Sequence, residues 1–306
     1  MNLYANCRPG LFDSSISLLM DATGTRSEGP ALSSGPPGVS GGPPDTGLLI
    51  INADDWGRAH DATERILECF LCGTVSSVSA MVFMRDSERA AAMARESKID
   101  AGLHLNFTTP FTASECPALL VERQRKLAGY LLRHPLSQVF FHPGLTRSFE
   151  YVVAAQLEEF SRLYGAAPQR LDGHHHMHLC ANVLFARILP SGTLVRRNFS
   201  FRPGEKSLPN RFYRKMVDRM LACRHPIVDF LFPLLPLEST DRLQEVFSLA
   251  RRSVVEVETH PVNPAEHRFL TEGEILRRTQ DIPIASSFAR PRPWQVGRGV
   301  MAGSQE

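Results

Sequence analysis

The chain has 306 residues, of which 43% are hydrophobic and 22% are charged, as in ordinary folded globular proteins. A net charge of +2, without a basic stripe interleaved with aromatic residues, speaks against a nucleic-acid partner. No apolar run approaches the roughly 18 residues that a membrane span needs. The amino-terminal stretch, interrupted by Asp13 and Asp21, is a poor secretory signal, so we predict a cytoplasmic protein with no membrane partner.

The composition of the sequence divides the chain into three predicted regions. Residues 24–47 hold seven glycines and five prolines, and such a segment cannot bury enough apolar surface to offset its conformational entropy. We therefore expect residues 1–46 to form a disordered extension. One folded domain is predicted over residues 47–290, followed by a flexible tail at 291–306.

Within the predicted domain, short apolar runs alternate with amphipathic segments. The runs typical of strands lie at 48–54, 74–83, 100–107, 169–173, 193–199 and 254–260. The segments with helical periodicity lie at 61–73, 87–98, 151–165 and 271–280. Strands separated by helices indicate β-α units on a mainly parallel sheet. Their number favours an incomplete or distorted TIM-like (β/α) barrel, although the stretch 200–240 shows no clear pattern.

A Cys-x-x-Cys pair, Cys69 and Cys72, lies late in the first predicted helix. Such a pair could be redox-active or form half of a zinc site. Because the helix is amphipathic and no second pair exists, we predict reduced cysteines buried in the core.

Acidic and histidine side chains follow four predicted strands that lie far apart in the sequence. They are Asp54 and Asp55 after the first strand, His104 in the third, Asp172 and His174 in the fourth, and His260 after the last. In β/α barrels the carboxyl ends of the strands converge on one rim, which carries the active site. These residues are therefore expected to meet.

Each of these residues also has a local explanation. Adjacent aspartates often cap the next helix, His104 could be a satisfied, half-buried histidine, and His260 could be a loop residue. The run of histidines at 174–178 could be a solvated loop. Taken together, however, one carboxylate and two imidazoles make a common ligand set for a catalytic divalent metal. The remaining aspartate and histidine could act as base and acid, which would suit hydrolysis of an amide or an ester.

Four motifs, IINADDWG, AGLHLNFT, RLDGHHHMHL and VEVETHP, occur in an order and spacing that resemble the YdjC-like carbohydrate deacetylase family. That family includes chitooligosaccharide deacetylase and is related to the NodB-type polysaccharide deacetylases. The resemblance covers roughly residues 47–265, and the first and third motifs are the specific ones. One departure is Gly173, which stands where the family commonly has serine.

The resemblance implies a metal-dependent enzyme that removes acetyl groups from N-acetylated sugars or oligosaccharides. It also implies an incomplete TIM-like barrel and one divalent cation, magnesium or zinc; a homodimer is compatible with it. The implied residues are Asp55, His104 and His174 as metal ligands, Asp54 as general base, His260 as acid or oxyanion stabiliser, and Arg196 or Arg197 as substrate contacts.

Metal-bound imidazoles usually donate their second N–H to a carboxylate or a carbonyl, so Asp172 or Asp54 could orient a histidine ligand. On an extended strand the side chains at 172, 174, 176 and 178 share one face, so Asp172 and His174 could both point into the site. His175 and His176 are expected to pack or hydrogen-bond behind the rim, and His178 is left open because the chain is expected to turn into a helix there.

Two rivals stay open at this point. A zinc-dependent sugar-amide hydrolase on a Rossmann-like sheet expects His-Pro before the paired aspartates, where this chain has Asn52 and Ala53. The other rival is a degenerate, non-catalytic protein of the same fold that binds sugar or metal. The poorly matched region 200–250 motivates it.

Overall fold

The computed structural model describes residues 47–201, 205–237, 240–279 and 282–288. Seven parallel strands form one sheet that curls into a half-barrel flanked by helices, which confirms the predicted incomplete (β/α) barrel. The predicted extension at 1–46 and the predicted tail at 291–306 lie outside the described residues. Among the described helices, none has the length and apolar character needed to cross a membrane.

The strands pair in the order β5-β4-β3-β2-β1-β7-β6. They are β1 (Leu48–Trp56), β2 (Ser77–Ala80), β3 (Ala101–Leu105), β4 (Arg170–Gly173), β5 (Leu194–Val195), β6 (Phe230–Pro233) and β7 (Val254–Thr259). Between the edge strands, the N–H of Ser200 donates to the carbonyl of Leu231 at 2.8 Å, so the chain beyond β5 approaches β6 and helps to curl the sheet.

Helices connect and flank the strands. They are α1 (His60–Leu71), α2 (Ser87–Glu96), α3 (Ala118–Leu131), α4 (Thr146–Tyr164), α5 (Ala181–Phe185), α6 (Leu208–Ala222), α7 (Thr240–Leu249), α8 (Pro264–Thr271) and α9 (Glu274–Thr279). Three short 3₁₀ helices add Pro135–Gln138, Pro143–Leu145 and His174–Leu179.

The two faces of the sheet differ in polarity. Along β1, Leu49, Ile51 and Ala53 belong to the main hydrophobic core. Asn52 and Asp54 alternate with them, so they face the inside of the curled sheet. The same alternation repeats along β7, where Val255 and Val257 are core residues and Glu256 and Glu258 face inward. The inside of the half-barrel is therefore polar, which is where a site can form.

Arg170 fills the lower part of this polar interior. Its guanidinium donates to the Asn52 side chain at 3.2 Å and to the Val78 carbonyl at 2.8 Å, and it lies 4.5 Å from the ring centre of Phe288. A Cβ placed on Gly102 would come within 2.8–2.9 Å of that guanidinium. The glycine therefore makes room for the arginine.

The sequence-based prediction of elements fails in four places. The connection between β3 and β4, expected to begin with a variable loop, contains helix α3, and the unassigned stretch 200–240 contains α6 and β6. The helix predicted at 271–280 corresponds to α9, which begins at Glu274 because Gly273 at φ 75° separates it from α8; α8 itself was not predicted. The strand predicted at 193–199 pairs only at Leu194–Val195.

The Cys-x-x-Cys pair agrees with the prediction only in part. Cys69 is fully buried, and burial raises the pKa of its thiol to about 12. Cys72 is exposed at the carboxyl end of α1, so the expectation of two buried cysteines is wrong for this residue. Both are free thiols.

Candidate active site

The paired aspartates lie at an irregularity in β1. The pairing of β1 with β2 shifts between Ala53 and Trp56, and Asp55 has φ 71°. Neighbours in a regular strand point to opposite faces, but a bulge re-aims a side chain. As a result, Asp54 Oδ2 and Asp55 Oδ1 lie 3.9 and 3.6 Å from the same atom, His104 Nε2. The aspartates do not cap α1, which starts after Ala59 without a side-chain cap.

Asp55, His104 and His174 form a compact, buried cluster whose ligand atoms all lie within 4.8 Å of one another. The side chains are at most 4% exposed. His104 Nε2 and His174 Nε2 lack any hydrogen-bond partner, whereas Asp55 Oδ1 lies 3.0 Å from His174 Nδ1. Buried polar atoms are nearly always satisfied, so two unpartnered imidazole nitrogens in a cluster with a buried carboxylate fit a divalent cation.

Asp172 fixes the orientation of His104. Its Oδ1 lies 2.6 Å from His104 Nδ1, and Ser79 donates to its other oxygen. Burial alone would lower the pKa of His104, but the charges of Asp54 and Asp172 outweigh it and raise that pKa to about 9. With Nδ1 bound by Asp172, Nε2 is the atom directed to the cluster, the arrangement typical of metal-bound imidazoles.

Arg196 lies beneath this cluster and binds four carboxylates. Its two terminal nitrogens donate to both oxygens of Asp54 at 2.7 and 2.8 Å. It also contacts Glu256 at 2.8 Å, Glu258 at 3.0 Å and Asp172 at 3.3 Å. Its side chain has no exposed surface. This corrects the expectation that Arg196 contacts a substrate, since its position is that of a positioning residue for Asp54.

Arg197 points elsewhere. It donates to Asp218 at 2.7 Å and to the backbone carbonyls of Val228 and Asp229. Its guanidinium is thus committed to the packing of α6 and the residues before β6. The structure does not bring it to the cluster.

His260 follows β7 and lies beside Asp54 and a residue that we did not predict, Glu258. Ligand atoms of these three residues lie within 4.8 Å of one another, and His260 Nδ1 is 4.0 Å from Glu258 Oε1. The His260 side chain is 27% exposed, and its backbone N–H donates to Glu266 at 2.8 Å. Burial lowers the pKa of His260, but Glu258 and Asp54 raise it more, so the protonated ring is favoured.

The histidine run leaves the strand at once. β4 ends at Gly173 and the chain turns into the 3₁₀ helix, with His175 at φ 57° and His176 at φ 55°. The turn comes earlier than expected and rotates successive side chains to different sides, while Asp172 and His174 both still reach the cluster.

Each histidine of the run consequently has its own partner. His175 Nδ1 lies 3.1 Å from Thr108 Oγ1, and its ring lies 4.0 Å from that of His174. His176 Nε2 lies 3.2 Å from a Glu258 oxygen, and His178 Nε2 lies 2.9 Å from the Arg196 carbonyl. Burial lowers the pKa of His175 to about 2 and that of His178 to about 3, so both rings are neutral.

Two residues of the site escaped the sequence analysis. Arg58 donates to Asp55 Oδ2 at 2.8 Å, and Glu258 joins His176, His260 and Arg196. The sequence did contain a signal for Glu258. Glu256 and Glu258 occupy alternate positions of a strand that is followed by His260, and this pattern indicates a polar inner face. Nothing in the spacing of Arg58 distinguished it from a surface residue.

The fold and the site define a class. A parallel half-barrel carries, at the carboxyl ends of its strands, an Asp-His-His cluster suited to a metal, with an additional aspartate and histidine beside it. The chain belongs to the YdjC-like protein family, whose model matches residues 48–280, and this confirms the predicted relationship.

Curated relatives carry deacetylase names. A mouse carbohydrate deacetylase is 31% identical over 186 residues, which cover 57% of this chain and 56% of the relative. Chitooligosaccharide deacetylases from Proteus mirabilis and Yersinia pestis are 31% and 30% identical, with 60% and 62% of the relatives covered. The chain thus spans somewhat more than half the length of the relatives that it matches.

One solved structure supports the fold. A crystal structure described as a putative cellobiose-phosphate cleavage protein from Enterococcus faecalis matches with a TM-score of 0.55 and 20% identity. The match covers 78% of this chain and 96% of that protein.

Proposed function

We propose that the protein is a metal-dependent hydrolase that removes acetyl groups from N-acetylated sugars or oligosaccharides. The observation that carries the proposal is the meeting of five residues from four distant segments: Asp54, Asp55, His104, His174 and His260. The deacetylase names of the curated relatives support the same substrate class.

Asp55, His104 and His174 would hold the cation, because they bring a carboxylate and two imidazoles within 4.8 Å of one another in a buried place, and one nitrogen of each imidazole has no hydrogen-bond partner. When bound, a divalent cation polarises an amide carbonyl and lowers the pKa of water towards neutrality. Of the two metals considered, two imidazole donors with one carboxylate suit zinc better than magnesium, which prefers oxygen ligands.

Asp54 is the proposed general base. An ionised carboxylate offers about four lone-pair sites, and three are used by Arg196 and Asn52. Oδ2 accepts one of these bonds and lies 3.9 Å from His104 Nε2, so its remaining lone pair can take a proton from attacking water at the cluster. Arg196 holds both oxygens and prevents the carboxylate from rotating.

His260 is the proposed general acid. Its partial exposure and its raised pKa suit a protonated imidazole that hands its proton to the departing sugar amine. The water oxygen forms a bond to the acetyl carbonyl carbon as Asp54 takes a proton from the water. The carbon–nitrogen bond then breaks as His260 protonates the amine nitrogen, and acetate and a free amino sugar leave. A non-catalytic sugar-binding role is not favoured, because the residues proposed as base, acid and metal ligands lie close together.

The Asp54→Asn variant tests this function. It should lower acetate release from N-acetylglucosamine oligomers by about 10²–10⁴-fold, the usual contribution of a positioned base, while metal content stays at the wild-type level. Asp218→Asn is a matched control, since Asp218 is a buried carboxylate bound by Arg197 outside the cluster. Full activity of Asp54→Asn, or no loss of acetate release after chelation of the metal, would contradict the mechanism.

Cellular location and assembly belong to the same proposal. We keep the expectation of a cytoplasmic protein and of a homodimer. Light scattering of the purified chain and fractionation of expressing cells would test them separately.

A further inference from the structure

The solvent-facing side of helix α6 carries three large apolar side chains at helical spacing. Leu208 is 76% exposed, Phe212 73% and Met216 42%. Residues at i, i+4 and i+8 lie on one face. The opposite face holds α6 in the fold through Val217 and Leu221 in the main core. The exposed side chains therefore form a continuous apolar stripe, rather than scattered surface residues.

A row of cations runs beside this stripe. Arg211, Lys215 and Arg219 are all exposed on α6. In the part of the chain that the structure describes, their side chains make no hydrogen bond or ion pair. Asp218 is the only acidic residue of the helix and is nearly buried, where Arg197 and Asn198 bind it. Within α6, the exposed residues thus form an apolar row and, beside it, a row of positive charges.

We propose that this face of α6 binds the surface of a lipid bilayer that contains anionic headgroups. Helices that lie in the membrane interface combine an apolar edge, which enters the headgroup boundary, with lysine and arginine beside it. Each such cation near an anionic leaflet adds attraction. The proposal replaces the prediction of no membrane partner with binding to the surface of a bilayer. It does not include insertion across the bilayer, since no described helix is long and apolar enough to cross a membrane.

The charge of α6 favours an anionic bilayer surface over a second copy of the chain as the partner of this face. A twofold interface through α6 would place the same patch against itself. Arg211, Lys215 and Arg219 of the two copies would then lie together without an acidic side chain on the face to balance them. An anionic surface instead neutralises the cations while it covers Leu208, Phe212 and Met216.

Cosedimentation of the full chain with vesicles tests the proposal. The protein should bind vesicles of phosphatidylcholine mixed with phosphatidylserine, bind phosphatidylcholine alone much more weakly, and dissociate as the salt concentration rises. Phe212→Ser should weaken binding about tenfold or more, from the loss of one buried aromatic side chain. The triple variant Arg211→Glu, Lys215→Glu, Arg219→Glu should weaken it by at least about a hundredfold.

Two control variants change similar groups elsewhere. Phe185→Ser removes another aromatic side chain, 57% exposed, and the pair Arg125→Glu, Lys126→Glu reverses exposed charges on α3. Both should bind vesicles like the wild type. Absence of wild-type binding to anionic vesicles, equal losses in the α6 and control variants, or a dimer in light scattering that Phe212→Ser dissociates would overturn the proposal.

Discussion

Single side chains of the site act through their neighbours as much as by themselves. His104 can point Nε2 into the cluster because Asp172 binds its Nδ1, and Asp172 is itself held by Ser79. Asp54 is held in the same way by Arg196. The geometry of the site therefore depends on the residues behind it as well as on those that line it.

Asp172→Asn should weaken metal binding about 10–100-fold, the usual effect of losing a carboxylate behind a histidine ligand. The amide cannot hold His104 as the charged carboxylate does. Calorimetric titration of metal-free protein with zinc measures the change. Asp218→Asn serves as control and should leave the affinity unchanged; equal losses in the two variants would show a general effect of removing buried carboxylates.

Arg196→Gln should lower the free energy of unfolding by about 3–5 kcal/mol, because it leaves several buried carboxylates without their cation. Urea unfolding measures the loss, and Arg197→Gln, at a partly exposed site, should lose less.

A second variant, Arg196→Lys, tests whether Arg196 positions the base. The lysine keeps the positive charge but cannot bind both Asp54 oxygens at once, so kcat for acetate release should fall while zinc affinity is retained. An unchanged kcat would argue against positioning of Asp54 by Arg196.

At the scale of secondary-structure elements, irregular backbone places the site. The shift in the pairing of β1 brings Asp54 and Asp55 to the same side, and the turn after β4 separates His174 from its neighbours. Left-handed backbone at Asp55, His175 and His176 costs conformational energy in residues other than glycine. Its concentration around the cluster agrees with a functional site.

Gly102→Ala should destabilise the protein by about 1–3 kcal/mol, as overpacking of a filled interior does. The new methyl group would meet the Arg170 guanidinium, which is bound on its other sides. Gly129→Ala in helix α3, with open space around it, should be neutral or stabilising by up to about 1 kcal/mol. Thermal or urea unfolding compares the two; similar effects would mean that Arg170 moves aside readily.

For the whole molecule, the neutral histidines make stability depend on pH. Burial lowers the pKa values of His175 and His178 from 6.5 to about 2 and about 3, so these two residues bind about 1.5 to 2 more protons in the unfolded chain at pH 5–6. The lowered pKa of His174 acts in the same direction. Glu256, whose pKa burial raises from 4.5 to about 7, binds almost one more proton in the folded state and offsets part of this. Burial also raises the pKa of Glu266, which acts in the same opposing direction.

A net excess of protons therefore remains on the unfolded chain, and the stability present above pH 6.5 is lost as the pH falls. Metal-free protein should lose on the order of 1 kcal/mol between pH 6 and pH 5. Urea unfolding at the two pH values measures this. His175→Asn should reduce the slope by about one proton, whereas a wild-type stability that rises towards pH 5 would contradict the assignment of neutral rings.

The amino-acid sequence by itself determined the parallel half-barrel, the family, and the five acid and histidine residues that meet. These follow from local information: alternation along strands, the spacing of helices, and the position of a residue at the end of a strand. The prediction of elements fails where the hydrophobic pattern is weak, as it is in α3 and α6. Which side chains of these helices are buried depends on the elements that pack against them.

Only the tertiary structure decided how these residues act on one another. Arg196 lies 142 positions from Asp54 and 62 positions from Glu258 in the sequence, yet it binds both. No local sequence pattern could therefore predict that Arg196 is buried beneath Asp54. The bulge that turns Asp55 beside Asp54 depends on pairing with another strand. Periodicity places a side chain on a face, whereas contacts between distant strands determine its charge, its orientation and its partner.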